Sequence, residues 1–84
     1  MKLTKINTYS FIDSNGVPCL GHISLYAHGT VTPVNGYDVE GNLLPNPVPL
    51  DSRGSTEIYV ADDVDADAYV YDEDNVLFKV IRNI

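Results

Sequence analysis

Glycine and proline are distributed unevenly along this chain of 84 residues, and this distribution limits its possible folds more than any other feature. All six glycines and all five prolines lie within residues 16–54. Proline lacks the N–H that a helix or a central strand requires, and glycine favours turns, so this region has no room for a long helix. Two Asn-Gly pairs, Asn15-Gly16 and Asn35-Gly36, predict tight turns because both residue types tolerate positive φ.

Short runs of β-branched and aromatic residues separate these turn signals, as is typical of strands. In His22–Ala27 the residues Ile23, Leu25 and Ala27 alternate with polar or aromatic neighbours, which predicts a half-buried strand. Residues 44–50 contain three prolines, so we expect an extended crossing segment there rather than a central strand. The other strand candidates are residues 9–12, 34–39, 56–61, 68–71 and 76–81. We therefore expect one all-β domain over residues 1–84, a small antiparallel β-sandwich or barrel of about six to seven short strands.

The C-terminal segment has two interpretations. Val76, Leu77, Val80 and Ile81 follow helical spacing, and Asp72 could cap a short C-terminal helix. The β-branched content instead favours a hairpin in which a turn at residues 72–75 pairs residues 69–71 with residues 77–80. The hairpin is the favoured prediction, and the short helix is the alternative.

The charge balance excludes several classes of partner. Twelve acidic residues against five basic ones give a net charge of −7. Because nucleic-acid binders and anionic membranes both require clustered Lys and Arg, we expect neither partner. No apolar run is long enough to cross a bilayer, and the N-terminus lacks the apolar core of a signal peptide. The single cysteine, Cys19, has no partner for an internal disulfide, and we expect a small buried or half-buried thiol.

The residues that usually carry catalysis are not spaced for it. His22 and His28 are six positions apart with no nearby cysteine, and we interpret them as an exposed strand residue and an exposed turn residue. The chain has no phosphate-binding glycine loop and no nucleophile elbow. We therefore expect no enzymatic activity and no cofactor.

The acidic residues fall mainly in two clusters, at residues 62–67 and 72–74, which we interpret as solvated loop tips. Asp63, Asp65 and Asp67 alternate in a way that loosely resembles a calcium loop. However, Ala68 stands where such a loop needs glycine, and alternating carboxylates on a strand lie too far apart for one ion. Calcium binding by these three residues is therefore a weak alternative.

Six tyrosines and no tryptophan make tyrosine the main aromatic residue. Tyr69 and Tyr71 share one face of their predicted strand, and Tyr59 lies on the strand before it. Tyrosine-bearing sheet faces serve as protein interfaces or as stacking platforms for sugars, or simply form cross-strand pairs. We assign Tyr59, Tyr69 and Tyr71 to a candidate interface, which would also help a chain with a small core by burying part of this face in an oligomer.

The turn residues also form a pattern similar to a known family. The chain reads Phe11-x-Asp13-x-Asn15-Gly16-x-Pro18-x-x-Gly21-x-Ile23-x-x-Tyr26-x-x-Gly29-Thr30-x-x-Pro33, and later Tyr37-Asp38-x-x-Gly41-Asn42-x-Leu44-Pro45-Asn46-Pro47-Val48-x-Leu50-Asp51-x-x-Gly54. With the strands at residues 58–60 and 69–74, this pattern resembles the head-binding domain of phage tailspikes over roughly residues 9–78. Its most specific part is residues 44–54.

The resemblance implies a β-structured module that trimerises and attaches a fibre or spike to the virion. The matching residues would be scaffold: turns at Gly16, Gly21, Gly29 and Gly54, a crossing segment shaped by Asn46 and Pro47, and a turn flanked by Asp51 and Arg53. Asp51 would accept backbone N–H bonds. The family's compact turn is enlarged here into the acidic loop of residues 62–67.

Two functions follow as expectations. The first is a non-enzymatic structural protein of a phage virion: a head–tail adaptor, decoration or fibre-anchoring module. It would be made in the host bacterial cytoplasm, located in the virion, and bound to other virion proteins as a homotrimer. The alternative is a small β-sandwich that binds carbohydrate or a cell-surface protein.

Overall fold

A computed structural model describes residues 2–3, 5–12 and 15–84 of the chain. Within these residues the chain forms six strands and no helix: β1 (Lys5–Ser10), β2 (His22–Ala27), β3 (Val48–Pro49), β4 (Ser55–Val60), β5 (Ala66–Tyr71) and β6 (Leu77–Ile81). All strand pairs are antiparallel. The predicted all-β class is confirmed. The described residues accordingly contain no helix that could cross a membrane.

The strands form two sheets that share one core. β1 pairs with β4, and a four-stranded sheet runs in the order β3-β2-β5-β6. Alternate side chains of a strand point to opposite faces, and the inward residues of both sheets meet in one apolar cluster. The largest fully buried apolar side chains are Ile23, Leu25, Ile58, Val60 and Val70. Each stabilises the fold by about 1.5–3 kcal/mol through removal from water. The architecture is that of a small β-sandwich.

The C-terminal segment is a hairpin, so the favoured prediction is confirmed and the helix alternative is wrong. β6 pairs with β5 from Ala68↔Ile81 to Tyr71↔Leu77. Asp72 Oδ1 accepts the backbone N–H groups of Asp74 and Val76, at 2.9 Å and 3.0 Å. These bonds close the turn and direct β6 back along β5.

The prediction of a strand at residues 34–39 is wrong. Only Tyr37 in this stretch makes ladder contacts, as isolated bridges to Leu43 and Tyr59. Asn35-Gly36 is also not a turn, although its sequence predicted one. Gly36 is buried, and a Cβ there would lie 2.9 Å from side-chain carbons of Ile58 and Leu25. The glycine is therefore needed for close packing against the core.

The crossing segment contributes a two-residue edge strand. Val48 and Pro49 of β3 pair with Ile23 and His22 of β2. Just before it, the peptide bond between Asn46 and Pro47 is cis. An edge position accommodates the prolines, because a proline nitrogen cannot donate to a further strand. The predicted extended segment thus lies where its sequence permits.

The glycines that match the family pattern act in two ways. Gly16, Gly29 and Gly54 adopt positive φ of 78°, 76° and 71°, as the turn predictions require. The turn expected at residues 13–16 lies partly outside the described residues. Gly21 instead lies against β5, where a Cβ would collide with the carbonyl oxygen of Tyr71. Gly21 is therefore a close-packing residue rather than a turn residue.

Candidate interaction surface and the Asp67 cluster

One face of the four-stranded sheet points away from the core and is rich in tyrosine. Because directly paired residues lie on the same face of a sheet, the register places His22 beside Tyr71 and Tyr69 beside Val80. We define the outer tyrosine face as His22, Tyr26, Tyr69, Tyr71, Leu77 and Val80. All six side chains are partly or largely exposed. The prediction that Tyr69 and Tyr71 share a face is confirmed.

The aromatic rings of this face contact one another across β2 and β5. Tyr26 meets Tyr69 edge to face with ring centroids 5.3 Å apart, and His22 stacks on Tyr71 at 5.1 Å. The Arg82 guanidinium lies 5.5 Å from the Tyr69 ring centroid. These contacts hold the rings in place on the sheet. The Tyr69 ring contacts Tyr26 and Arg82, and the Tyr71 ring contacts His22.

Tyr59 does not belong to this surface. It lies on β4 in the other sheet, where it pairs with the exposed Ile6. Since the inward residues of both sheets pack in the same core, the outward side chain of Tyr59 lies on the opposite side of the sandwich. Partial desolvation, together with Glu57, raises the pKa of its phenol. The candidate interface of Tyr59, Tyr69 and Tyr71 is therefore two separate surfaces.

Asp67 is a buried carboxylate at one end of the outer tyrosine face. Its side chain is 0 % exposed, although it pairs with Tyr26 on the outward side of the sheet. Oδ1 lies 2.7 Å from His28 Nδ1 and accepts the Asn83 N–H at 2.9 Å. Oδ2 accepts the Gly29 N–H at 3.0 Å and an Arg82 guanidinium N–H at 2.9 Å. The residue thus joins the turn after β2 to the segment after β6.

These donors control the protonation of Asp67. The Gly29 N–H has the largest effect, followed by the His28 ring, and together with Asn83 and Arg82 they hold the pKa of this carboxyl far below its usual range. The hydrogen bond between Arg82 and Asp67, together with a second contact from Tyr69, raises the pKa of Arg82. A carboxylate with four donors remains ionised and satisfied despite its burial.

The calcium candidates do not converge on one point. Asp67 belongs to the cluster just described, so the expectation that it is solvated is wrong. Asp63 and Asp65 are exposed, and Asp65 makes a 3.4 Å ion pair with Lys5. Among the described residues, no group of three or more His, Cys, Asp or Glu side chains is placed to hold a metal ion.

The other singled-out side chains have varied environments. The Cys19 thiol is buried as predicted, 3.7 Å from the carbonyl oxygen of Tyr71. His28 is largely exposed, as expected, but its ring also contacts Asp67. Residues 28 and 67 meet only when β2 pairs with β5, so sequence spacing did not indicate this contact. The one sequence signal is indirect: Asp67 lies between two small apolar residues, Ala66 and Ala68.

Asn46 and Asp51 hold backbone groups in place within residues 44–54. The Asn46 side chain accepts the Leu25 N–H and donates to the Leu25 carbonyl, both at 3.1 Å. Asp51 Oδ1 accepts the backbone N–H groups of Arg53 and Ser55, at 2.8 Å and 2.9 Å. The N–H of Ser55, more than that of Arg53, lowers the pKa of Asp51. The predicted backbone bonds of Asp51 are thus confirmed.

Comparison with known proteins adds no relative. Neither a protein-family model nor a curated protein nor a solved structure matches this chain.

Proposed function

We propose that this chain is a non-enzymatic structural protein of a phage virion, acting as a head–tail adaptor, a decoration protein or a fibre-anchoring module. It acts through contacts with other virion proteins and assembles as a homotrimer. The proposal originates in the resemblance to the tailspike head-binding domain. The main supporting observation is the outer tyrosine face.

The composition of this face is that of a protein interface. Tyrosine is enriched at the centres of interfaces, whereas Asp and Glu are depleted there. Twelve of the 84 residues are acidic, yet the four strands of the sheet place only Asp67 on the outward side, and that carboxylate is buried. A chain of net charge −7 can therefore approach another protein with this face at little electrostatic cost.

The residues shared with the family support the same interpretation. Gly54, Asn46 and Asp51 hold turns and strand edges in place through backbone conformation and hydrogen bonds. Such residues maintain a scaffold and are not arranged as reactive groups. A scaffold that presents a tyrosine-rich face suits a docking module.

The solution mass of the chain tests the proposal, measured by light scattering with calcium and again with a chelator. We expect about three times the chain mass of 9.2 kDa under both conditions. The double variant Tyr69→Ser/Tyr71→Ser should have a lower solution mass than the wild-type chain. Tyr59→Ser, on the opposite surface, should keep the wild-type mass. Circular dichroism checks that each variant is folded. Mass spectrometry of purified particles should also detect the chain.

A carbohydrate-binding module is the second candidate, because exposed tyrosines can stack on sugars. It predicts a monomer whose tyrosine fluorescence changes with glycans and whose response is lost in Tyr69→Ser/Tyr71→Ser. A monomer with this response, missing from purified particles, would contradict the virion proposal. A calcium-dependent trimer would instead restore the acidic residues as a metal site.

A further inference from the structure

A second surface lies at the end of the sandwich, beside the edge strand β6. Val17, Leu20 and Phe78 line a cleft of about 170 Å³ between the loop of residues 17–20 and the β5–β6 turn. Leu20 is 49 % exposed and Phe78 is 41 % exposed. Phe78 also makes an edge contact with the buried Phe11, which directs its ring towards the core side of the sheet. The cleft is thus separate from the outer tyrosine face.

The edge of β6 beside this cleft has free pairing capacity. In the part of the chain that the structure describes, β6 pairs with β5 on one side and with no strand on the other. An edge strand presents backbone N–H and C=O groups to which an extended segment of another protein can add. β1 is also an edge strand, but the cleft between it and the β4 end is lined by polar and charged side chains such as Thr8, Thr56 and Glu57.

The rim of the cleft carries negative charge. Asp72, Glu73 and Asp74 line it, and none of the ion pairs among the described residues involves them. Asp72 closes the β5–β6 turn, whereas Glu73 and Asp74 are exposed. A segment that places an apolar side chain in the cleft would therefore bring its neighbouring side chains close to two or three carboxylates. Lys or Arg at those positions gives charge complementarity.

We infer that the β6 edge and its cleft bind an extended segment of a partner protein, one that combines an apolar side chain for the cleft with Lys or Arg for the 72–74 rim. This inference deepens the proposed function by naming the chemistry of the partner segment, and rests on it for the claim that the partner is a protein. The backbone of the added strand gives affinity, and the cleft and rim give specificity.

A second copy of the chain suits this edge less well. Two edge strands combine basic with apolar residues. In β1, Lys5 already bonds to the Val64 carbonyl and to Asp65, and in β6, Lys79 lies at the centre of the strand. Lysine on an edge strand disfavours pairing with an identical strand. Arg82 already contacts Asp67 and Tyr69.

The test uses synthetic seven-residue peptides and the ¹⁵N-labelled full chain at low salt. The probe has the sequence Lys-Val-Lys-Val-Thr-Val-Thr. The reversed sequence is also tested, so that the lysines can lie beside the rim whether the peptide pairs parallel or antiparallel to β6. The control peptide replaces each lysine with glutamate. We expect the basic peptide to shift the amide signals of Val17, Cys19, Leu20 and residues 76–81 and to slow hydrogen exchange in β6. The acidic peptide should do neither.

Matched variants locate the binding. Glu73→Gln/Asp74→Asn removes two rim charges and keeps Asp72, so we expect roughly fivefold to tenfold weaker binding of the basic peptide. Glu40→Gln/Asp63→Asn removes the same charge from exposed sites outside the cleft and should change affinity less than about twofold. Leu20→Ser should weaken binding, with Leu43→Ser, another exposed leucine, as its control.

Three results would overturn the inference: no shifts at millimolar peptide, equal shifts with basic and acidic peptides, or shifts outside the β6 edge and cleft. Protection of β6 amides that rises with protein concentration in the absence of peptide would assign the edge to a second copy instead. None of these results depends on the mass of the Tyr69→Ser/Tyr71→Ser variant. The peptide assay can therefore fail while the proposed function stands, and the reverse also holds.

Discussion

Asp67 shows how one side chain can connect parts of a small β-protein that are far apart in sequence. Its four donors come from two separate segments. His28 and Gly29 precede β5 in the sequence, and Arg82 and Asn83 follow it. The alternation of Asp63, Asp65 and Asp67 predicted a set of similar, solvated carboxylates. Sequence spacing could not distinguish Asp67 from the others, because its donors come from distant loops that meet only in the folded chain.

The variant Asp67→Asn should be clearly less stable than the wild-type protein. The amide keeps the shape but loses the charge, and its NH₂ group would face N–H donors inside the protein. We expect the midpoint of thermal unfolding to fall by at least about 5 °C, measured by circular dichroism. Asp63→Asn, at an exposed position, is the matched control and should leave the midpoint nearly unchanged. Equal midpoints for the two variants would contradict the role assigned to Asp67.

Gly21 and Gly16 provide a second comparison at the residue scale. Gly21→Ala should cost at least about 3 kcal/mol of unfolding free energy, because the new methyl group would meet the Tyr71 backbone, which cannot move without disrupting β5. Gly16→Ala has open space around it and suffers only from its positive φ, which costs about 1 kcal/mol. Denaturant titration measures both values. The opposite order of stabilities would contradict the packing described for Gly21.

At the scale of elements, alternating apolar residues and turn residues predicted most strands correctly. The errors arise where a strand needs a neighbouring strand to pair with. Residues 22–27 form β2 with the predicted bounds, because their strict alternation matches burial on one face. The segment at residues 34–39 also contains valine and tyrosine, but only Tyr37 forms strand-like bridges there, and Gly36 packs against the core. Local sequence does not reveal whether a neighbouring strand is available.

Asn46 supports the edge of β2 beyond the two residues that pair with β3. Its side chain bonds to the N–H and C=O of Leu25 and to the C=O of Val34. Asn46→Ala should therefore lower the unfolding free energy by about 1–3 kcal/mol, as measured by urea titration. Asn35→Ala, an exposed asparagine in the preceding connection, is the control. If both variants had wild-type stability, the Asn46 bonds would contribute nothing to the fold.

At the scale of the whole molecule, turn residues and alternating strands predicted the class of the fold, whereas composition did not predict how charge is distributed over its surface. The acidic excess is spread over exposed turns, over the rim beside β6 and over one buried cluster, while the outer tyrosine face is almost free of it. Composition could not reveal this separation, because it depends on which side of each strand faces outwards. The separation of charge from the tyrosine face is the basis of the proposed interface.

Acid should destabilise the fold in a defined direction. Backbone donors lower the pKa of Asp38, Asp51 and Asp67 in the folded chain. Below about pH 4, near the usual pKa of Asp, the unfolded chain therefore binds more protons than the folded chain. The stability that these carboxylates provide is present at neutral pH and is lost as the pH falls. Unfolding free energies from pH 7 to pH 2 measure this loss. The loss should be smaller in Asp67→Asn, which cannot titrate, and an equal loss would contradict the assignment.

The two edges of the four-stranded sheet differ in their capacity to pair with a further strand. On the β2 side, Val48, Pro49 and the Asn46 side chain occupy the edge, and the prolines there cannot donate. On the β6 side, no strand of the described residues covers the edge. This sheet can therefore accept a further strand on one side only, and added strands cannot extend it into an endless row. A proline-rich segment and a single amide thus limit the sheet to one partner segment at one edge.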